Sequence, residues 1–123
     1  MANDDFIRLM HSLFLPAAGT YREVDWRPAT DVYRTRKGWV VKVELAGVRP
    51  EDIQISAAGR RLTVWGRRRD CFAEEGHSCY SMEICYSQFE RAVELPCDLE
   101  FAHITTDYQY GMLLVRIETE ADR

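Results

Sequence analysis

The chain has 123 residues, 46% hydrophobic and 29% charged, the size and balance of one globular domain that folds in water. A formal charge of −4 argues against a nonspecific nucleic-acid binder, and no apolar run approaches the ~18 residues of a membrane-spanning helix. The start Met1-Ala2-Asn3-Asp4-Asp5 is acidic where a secretory signal is basic, so the cytoplasm is the expected location.

Residues 3 to 15 read as a short amphipathic helix. Phe6, Leu9, Met10, Leu13 and Phe14 recur at offsets that share one helical stripe. Asn3 suits the N-cap, and Asp4 and Asp5 suit the first turn, where the helix dipole favours anions. Pro16-Ala17-Ala18-Gly19 ends the pattern. A lone helix this short is marginal in water, so the stripe packs on its own domain, packs on another subunit, or stays exposed and adhesive.

From about Thr30 the period changes to strand alternation. Trp39, Val41, Val43 and Leu45 share one face, with Lys42 and Glu44 on the other. A turn at Ala46-Gly47-Val48-Arg49-Pro50 leads into Glu51–Ile55, and Gly59 separates that strand from Arg61–Trp65. Tyr80, Met82, Ile84 and Tyr86 predict another strand. Phe89, Val93 and Leu95 mark the next, which stops at Pro96. Ile104, Thr106 and Tyr108 follow, and Gly111 turns the chain into Met112–Ile117. Seven or eight short strands with frequent turns predict an all-β fold, an antiparallel immunoglobulin-like β-sandwich, with a closed barrel as the structural alternative.

Candidate chemistry is sparse. No Gly-rich phosphate loop is present, and His11, His77 and His103 lack the company of a nucleophile, so no enzyme, catalytic residue or cofactor is expected. Cys71, Cys79, Cys85 and Cys97 form no C-x-x-C pair, so no metal site is expected. In a reducing compartment they are expected to be free and mostly buried thiols, with a redox role left open. Arg67-Arg68-Arg69, followed closely by Glu74-Glu75, makes a poor phosphate groove. Arg91 shares strand parity with Phe89, Val93 and Leu95 and so points toward an apolar face. It needs a paired carboxylate or an interface partner there, unless it reaches water at a strand edge. The Arg67–Ser78 stretch is long for a hairpin, and long loops are often functional; a solvated loop is the plain alternative.

The order of particular residues goes further than the pattern. Trp26-x-Pro28 with Asp31-Val32-Tyr33, then Leu45-Ala46-Gly47-Val48 with Glu51-Asp52-Ile53, resembles the entry and first turn of an α-crystallin domain. Leu62-Thr63-Val64 with Gly66, Phe89-Glu90-Arg91 with Leu95-Pro96, and Gly111-Met112-Leu113-Leu114-Val115 follow in the same family's order. The chain thus resembles the small heat-shock proteins, of the bacterial type, over roughly residues 26–117. Ala46, Thr106 and Tyr110 depart from the family's usual residues, and residues 118–123 carry no I-x-I motif. The expected organisation is an N-terminal arm over 1–25, an α-crystallin domain over 26–117 and a short tail over 118–123.

The resemblance implies an ATP-independent holdase that binds unfolding client proteins and suppresses their aggregation. An adaptor that docks one specific protein partner is the alternative. It implies a homodimer, with larger assembly through the N-terminal helix as a further step. Arg91 is then an ion-pair residue at the dimer contact. A strand in the Arg67–Ser78 loop, anchored by Phe72, pairs with the Asp31, Val32 and Tyr33 strand of a second copy. Ile53 and Ile55 face Ile104 and Thr106 across an edge groove that takes I-x-I peptides in the family. The stripe Phe6, Leu9, Met10, Leu13 and Phe14 is the expected client-binding face, since Met and Phe adapt to varied partners.

Overall fold

In a computed structural model, which describes residues 26–70 and 74–119, strand alternation from Thr30 onward becomes seven strands. They are β1 (Thr30–Arg34), β2 (Gly38–Glu44), β3 (Ile53–Ala58), β4 (Arg61–Arg67), β5 (Gln88–Glu94), β6 (His103–Gln109) and β7 (Met112–Glu118). A single 3-10 turn, Pro50–Asp52, precedes β3. One sheet runs β1-β2-β7-β6 and the other β3-β4-β5, with every strand pairing antiparallel. The all-β sandwich is as expected. The two sheets stay separate, so the barrel alternative is not realised. The helix expected over residues 3–15 lies outside the described residues.

Period-two alternation decides which side chains meet. Val41 and Val43 of β2, followed by Leu45, turn inward, as do Leu113, Val115 and Ile117 of β7. Leu62 and Val64 of β4 face them from the other sheet, and all join one buried cluster. Each such side chain removed from water contributes about 1.5–3 kcal/mol, which is what holds two half-apolar sheets face to face. Gly66 lies in register with Phe89 on β5, and a Cβ there would sit 2.0 Å from the Asp52 carbonyl oxygen. The glycine therefore lets the start of β3 pass close over β4.

Trp26 joins the two layers. Its backbone N–H donates to the Gln88 carbonyl and to Ser87 Oγ at 3.3 and 3.1 Å, and its ring meets Phe89 edge-on at 5.4 Å. The chain thus leaves the margin of the three-stranded sheet at Trp26 and enters the four-stranded sheet at β1.

Tyr110 and Gly111 form the two-residue turn between β6 and β7, with Gln109 paired to Met112 on either side. Both turn residues have positive φ, 54° and 77°. Such a turn matches the right-handed strand twist and favours Asn-Gly, so an exposed Tyr in the left-handed region is strained. Tyr110→Asn is expected to raise stability by about 0.5 kcal/mol in urea titrations, with an unchanged transition slope.

One predicted strand is missing. Residues 80–86 alternate as expected but pair with no strand among the described residues, and Tyr80, Met82, Ile84 and Tyr86 are exposed. The reason is topological. β4 and β5, which flank this segment in sequence, are paired directly to each other, so the connection leaves the sheet. Cys79 and Cys85 go with it and are exposed rather than buried; Cys97, after β5, is half-buried.

Candidate functional site

Nothing in the sandwich gathers reactive groups. Among the described residues, no three His, Cys, Asp or Glu side chains come together to hold a metal ion. No helix there is long and apolar enough to cross a membrane. What the fold does present is strand edges and an unpaired apolar segment.

β1 is an outer edge of the four-stranded sheet, hydrogen-bonded on one side only, to β2. Val32 and Tyr33 are exposed on it, and the Tyr33 hydroxyl donates to Asp31 Oδ2 at 3.3 Å. Lys42, on the neighbouring strand, lies 5.3 Å from the centre of the Tyr33 ring. An open edge of this kind is a template for another strand. Phe72, the expected anchor of an exchanged strand, lies outside the described residues. The exposed apolar alternation falls later, from Tyr80 to Tyr86. Its period was legible in the sequence; that it would find no strand partner among the described residues was not.

Arg68 fastens the C-terminal end of that segment. Its guanidinium lies 3.7 Å from the Trp26 ring centre and 5.8 Å from that of Tyr86. Its Nε donates to the Cys85 carbonyl at 2.9 Å and its Nη1 to the Ala46 carbonyl at 3.1 Å. Arg69 makes a two-pronged contact with the Asp52 carboxylate, both distances 3.1 Å. Arg68 and Arg69 thus serve contacts within the chain, and sequence reasoning missed Arg68 because its partners lie far apart in sequence.

Arg91 lies on the inner face of β5, opposite Val64 and in line with Phe89 and Val93, as parity predicted. Its Nη1 donates to the Pro28 carbonyl at 2.7 Å, while its buried Nε has no hydrogen-bond partner. Burial, with Arg27 nearby, lowers the guanidinium from its ordinary pKa. No ion pair compensates it among the described residues.

The expected groove residues sit on edge strands of opposite sheets, Ile53 and Ile55 on β3 and Ile104 and Thr106 on β6. Ile53, Ile55 and Ile104 are half-buried against the core, and Thr106 is exposed. Tyr108, further along β6, shares its hydroxyl hydrogen between the Leu45 and Val48 carbonyls, both at 2.7 Å. This ties β6 to the turn that leads into β3. Burial raises the Tyr108 pKa, and the hydrogen bond to Val48 partly offsets it. Phe6, Leu9, Met10, Leu13 and Phe14 lie outside the described residues.

A sandwich of seven strands in this order, with an open first edge and a long β4–β5 connection, is a fold class in its own right. Residues 31–123 match the model of the Hsp20/alpha crystallin family, and the chain belongs to that family. It is similar to small heat shock protein C4 of Rickettsia felis, 27% identical over 90 residues, which covers 73% of this chain and 55% of that protein. Spore protein SP21 of Stigmatella aurantiaca is 30% identical over 90 residues, covering 73% of this chain and 53% of its own length. The chain thus spans a little over half the length of these relatives. Among solved structures, heat shock protein 16.0 from Schizosaccharomyces pombe superposes with a TM-score of 0.68 at 27% identity, over 80% of this chain and 89% of that one. HSP18.5 from E. histolytica gives 0.66 at 26% identity, over 76% and 88%.

Proposed function

We propose that the protein is an ATP-independent holdase, acting in the cytoplasm as a dimer that binds unfolding proteins by surface contact. The observation that carries this reading is the coexistence of an open strand edge at β1 with an exposed, unpaired, alternating segment at Tyr80–Tyr86, in a fold of the small heat-shock family. Those two features support the dimer; the outer edges of β3 and β6, which the exchange leaves open, are complementary to the apolar side chains and unpaired backbone of an unfolding client. The dimer forms when the Tyr80–Tyr86 segment of each copy pairs with the Asp31, Val32 and Tyr33 edge of the other. Phe72 adds to this contact, and Arg91 finds its carboxylate there. Pairing the segment hides edges that would otherwise template aggregation.

Client binding falls to the stripe Phe6, Leu9, Met10, Leu13 and Phe14, and to the edge strands carrying Ile53, Ile55, Ile104 and Thr106. Burying ~400 Å² of apolar client surface at ~25 cal/mol/Å² is worth about 10 kcal/mol gross. Ordering and association costs consume much of that, so binding is weak and reversible. Size-exclusion chromatography after heating with several unrelated model proteins tests the reading. Co-elution with many unfolded clients is expected. Co-elution with none, alongside tight binding of one native protein, would replace the holdase by an adaptor.

A further inference from the structure

One end of the sandwich carries a knob and a hole that the dimer described above does not use. The knob is the turn between β5 and β6. Ala102 N–H donates to the Leu99 carbonyl at 3.2 Å, Leu99 N–H to the Gly59 carbonyl at 2.8 Å, and Glu100 N–H to Asp98 Oδ1 at 3.0 Å. With Leu99 buried as its root, the turn is fixed, and Glu100 and Phe101 stand at its tip. Phe101 is 77% exposed.

The hole is a cavity of about 290 Å³ at the β1–β2 turn and the end of β7. Trp39, Val40 and Ile117 give it apolar walls, while Arg36, Lys37 and Arg116 rim it. None of those three cations has an ion pair or side-chain hydrogen bond among the described residues. One carboxylate, Glu118, also lines it. Three cations against one carboxylate leave an excess of two positive charges, in a chain whose formal charge is −4. An apolar cavity of ~150 Å³ already takes a benzene ring, so this one has room for a phenyl group.

Knob and hole lie side by side. Gly38 pairs with Glu118 and Glu118 with His103, so the β1–β2 turn and the residues just before β6 project from the same end of one sheet. β7 alone separates β2 from β6, which sets them about 10 Å apart. A phenyl ring flanked by Asp98 and Glu100 thus stands beside an apolar hole rimmed by arginine and lysine. A two-fold axis between them places each knob in the other copy's hole, the self-matching geometry of an isologous contact.

We propose that this end of the sandwich is a second self-association surface. Phe101 of one copy enters the Trp39–Val40 cavity of another, and Glu100 and Asp98 meet Arg36, Lys37 and Arg116. The contact is separate from the β1 edge and joins dimers into larger assemblies. It also weakens with salt, because its charges lie at an exposed rim.

The test is photo-crosslinking from position 101, with p-benzoylphenylalanine replacing Phe101 in an equal mixture of ¹⁴N- and ¹⁵N-labelled full-length chain. Mixed-isotope crosslinks to peptides containing Trp39, Val40 or Arg116 are expected. Arg36→Glu with Arg116→Glu should lower their yield about tenfold, and adding Glu100→Arg should restore most of it. The Met82→Asp, Ile84→Asp variant should keep the crosslink while losing the strand-exchanged dimer, so failure of one contact is distinguishable from failure of the other. Crosslinks confined to a single chain or mapping elsewhere, or a yield indifferent to the charge reversal, would overturn the proposal.

Discussion

Replacing Met82 and Ile84 together by Asp is expected to turn the dimer into a monomer. Both side chains are more than half exposed in the single chain, at 63% and 56%, so the substitutions cost little within one copy. In the proposed exchanged strand they would be buried. Both copies contribute a segment, so the dimer loses four such side chains; at about 2 kcal/mol each, association weakens by more than about five decades. Sedimentation equilibrium over a concentration series would read this as a shift of the monomer–dimer transition by more than about five decades, leaving monomer throughout. A dimer of wild-type strength would show that the Tyr80–Tyr86 segment is not what joins the copies. Because the core cluster of β2, β4 and β7 is untouched, the far-UV spectrum and core packing should be retained.

Arg91→Met is expected to have opposite signs in the two states. In the isolated domain the guanidinium faces apolar side chains, its Nε has no partner, and burial already disfavours its charge. Methionine of similar reach removes that cost, and the monomeric Met82→Asp, Ile84→Asp background should gain about 1 kcal/mol in urea. In the otherwise unaltered chain the same change removes one partner of the ion pair proposed at the dimer contact. The partner's carboxylate is left buried and unpaired, and association should weaken by about 2–4 kcal/mol. If dimer mass and dissociation are unaffected while the monomer is stabilised, Arg91 is a strand-margin residue reaching the Pro28 carbonyl and nothing more.

These two expectations rest on features that the sequence revealed unequally. The inner face of β2 was plain from alternation, because Val41 and Val43 meet only one requirement, burial on one side; β4 and β7 were legible as strands, but not which of their side chains face the core, and in β4 Leu62, Thr63 and Val64 are buried in succession. The inward aim of Arg91 was legible by the same parity. The segment Tyr80–Tyr86 carries an equally good period, yet the period reports a preference for extended backbone and not the presence of a neighbouring strand. β4 and β5 pair directly with each other, so the segment is the connection between them and not a rung of their ladder. The same escape from the sheet exposes Cys79 and Cys85 where mostly buried thiols were expected.

The Arg68 clasp and the Phe101 end were not readable at all. Arg68 draws together Trp26, Ala46, Cys85 and Tyr86, and the cavity joins Arg36 to Arg116. Such proximities are set by strand order and register, on which a local pattern is silent. Tyr110 shows the opposite case. Its departure from the family's usual residue was visible in the sequence, and the positive φ supplies the physical reason that it matters.

The central claim is holding without nucleotide. Light scattering from a heat-stressed model protein, with the chain added at an equal subunit ratio and no ATP, tests it most directly. The account predicts that scattering is suppressed, and that chain lacking residues 1–25 suppresses it less. Scattering unchanged by the intact chain, while that chain itself stays folded and in solution, would contradict it.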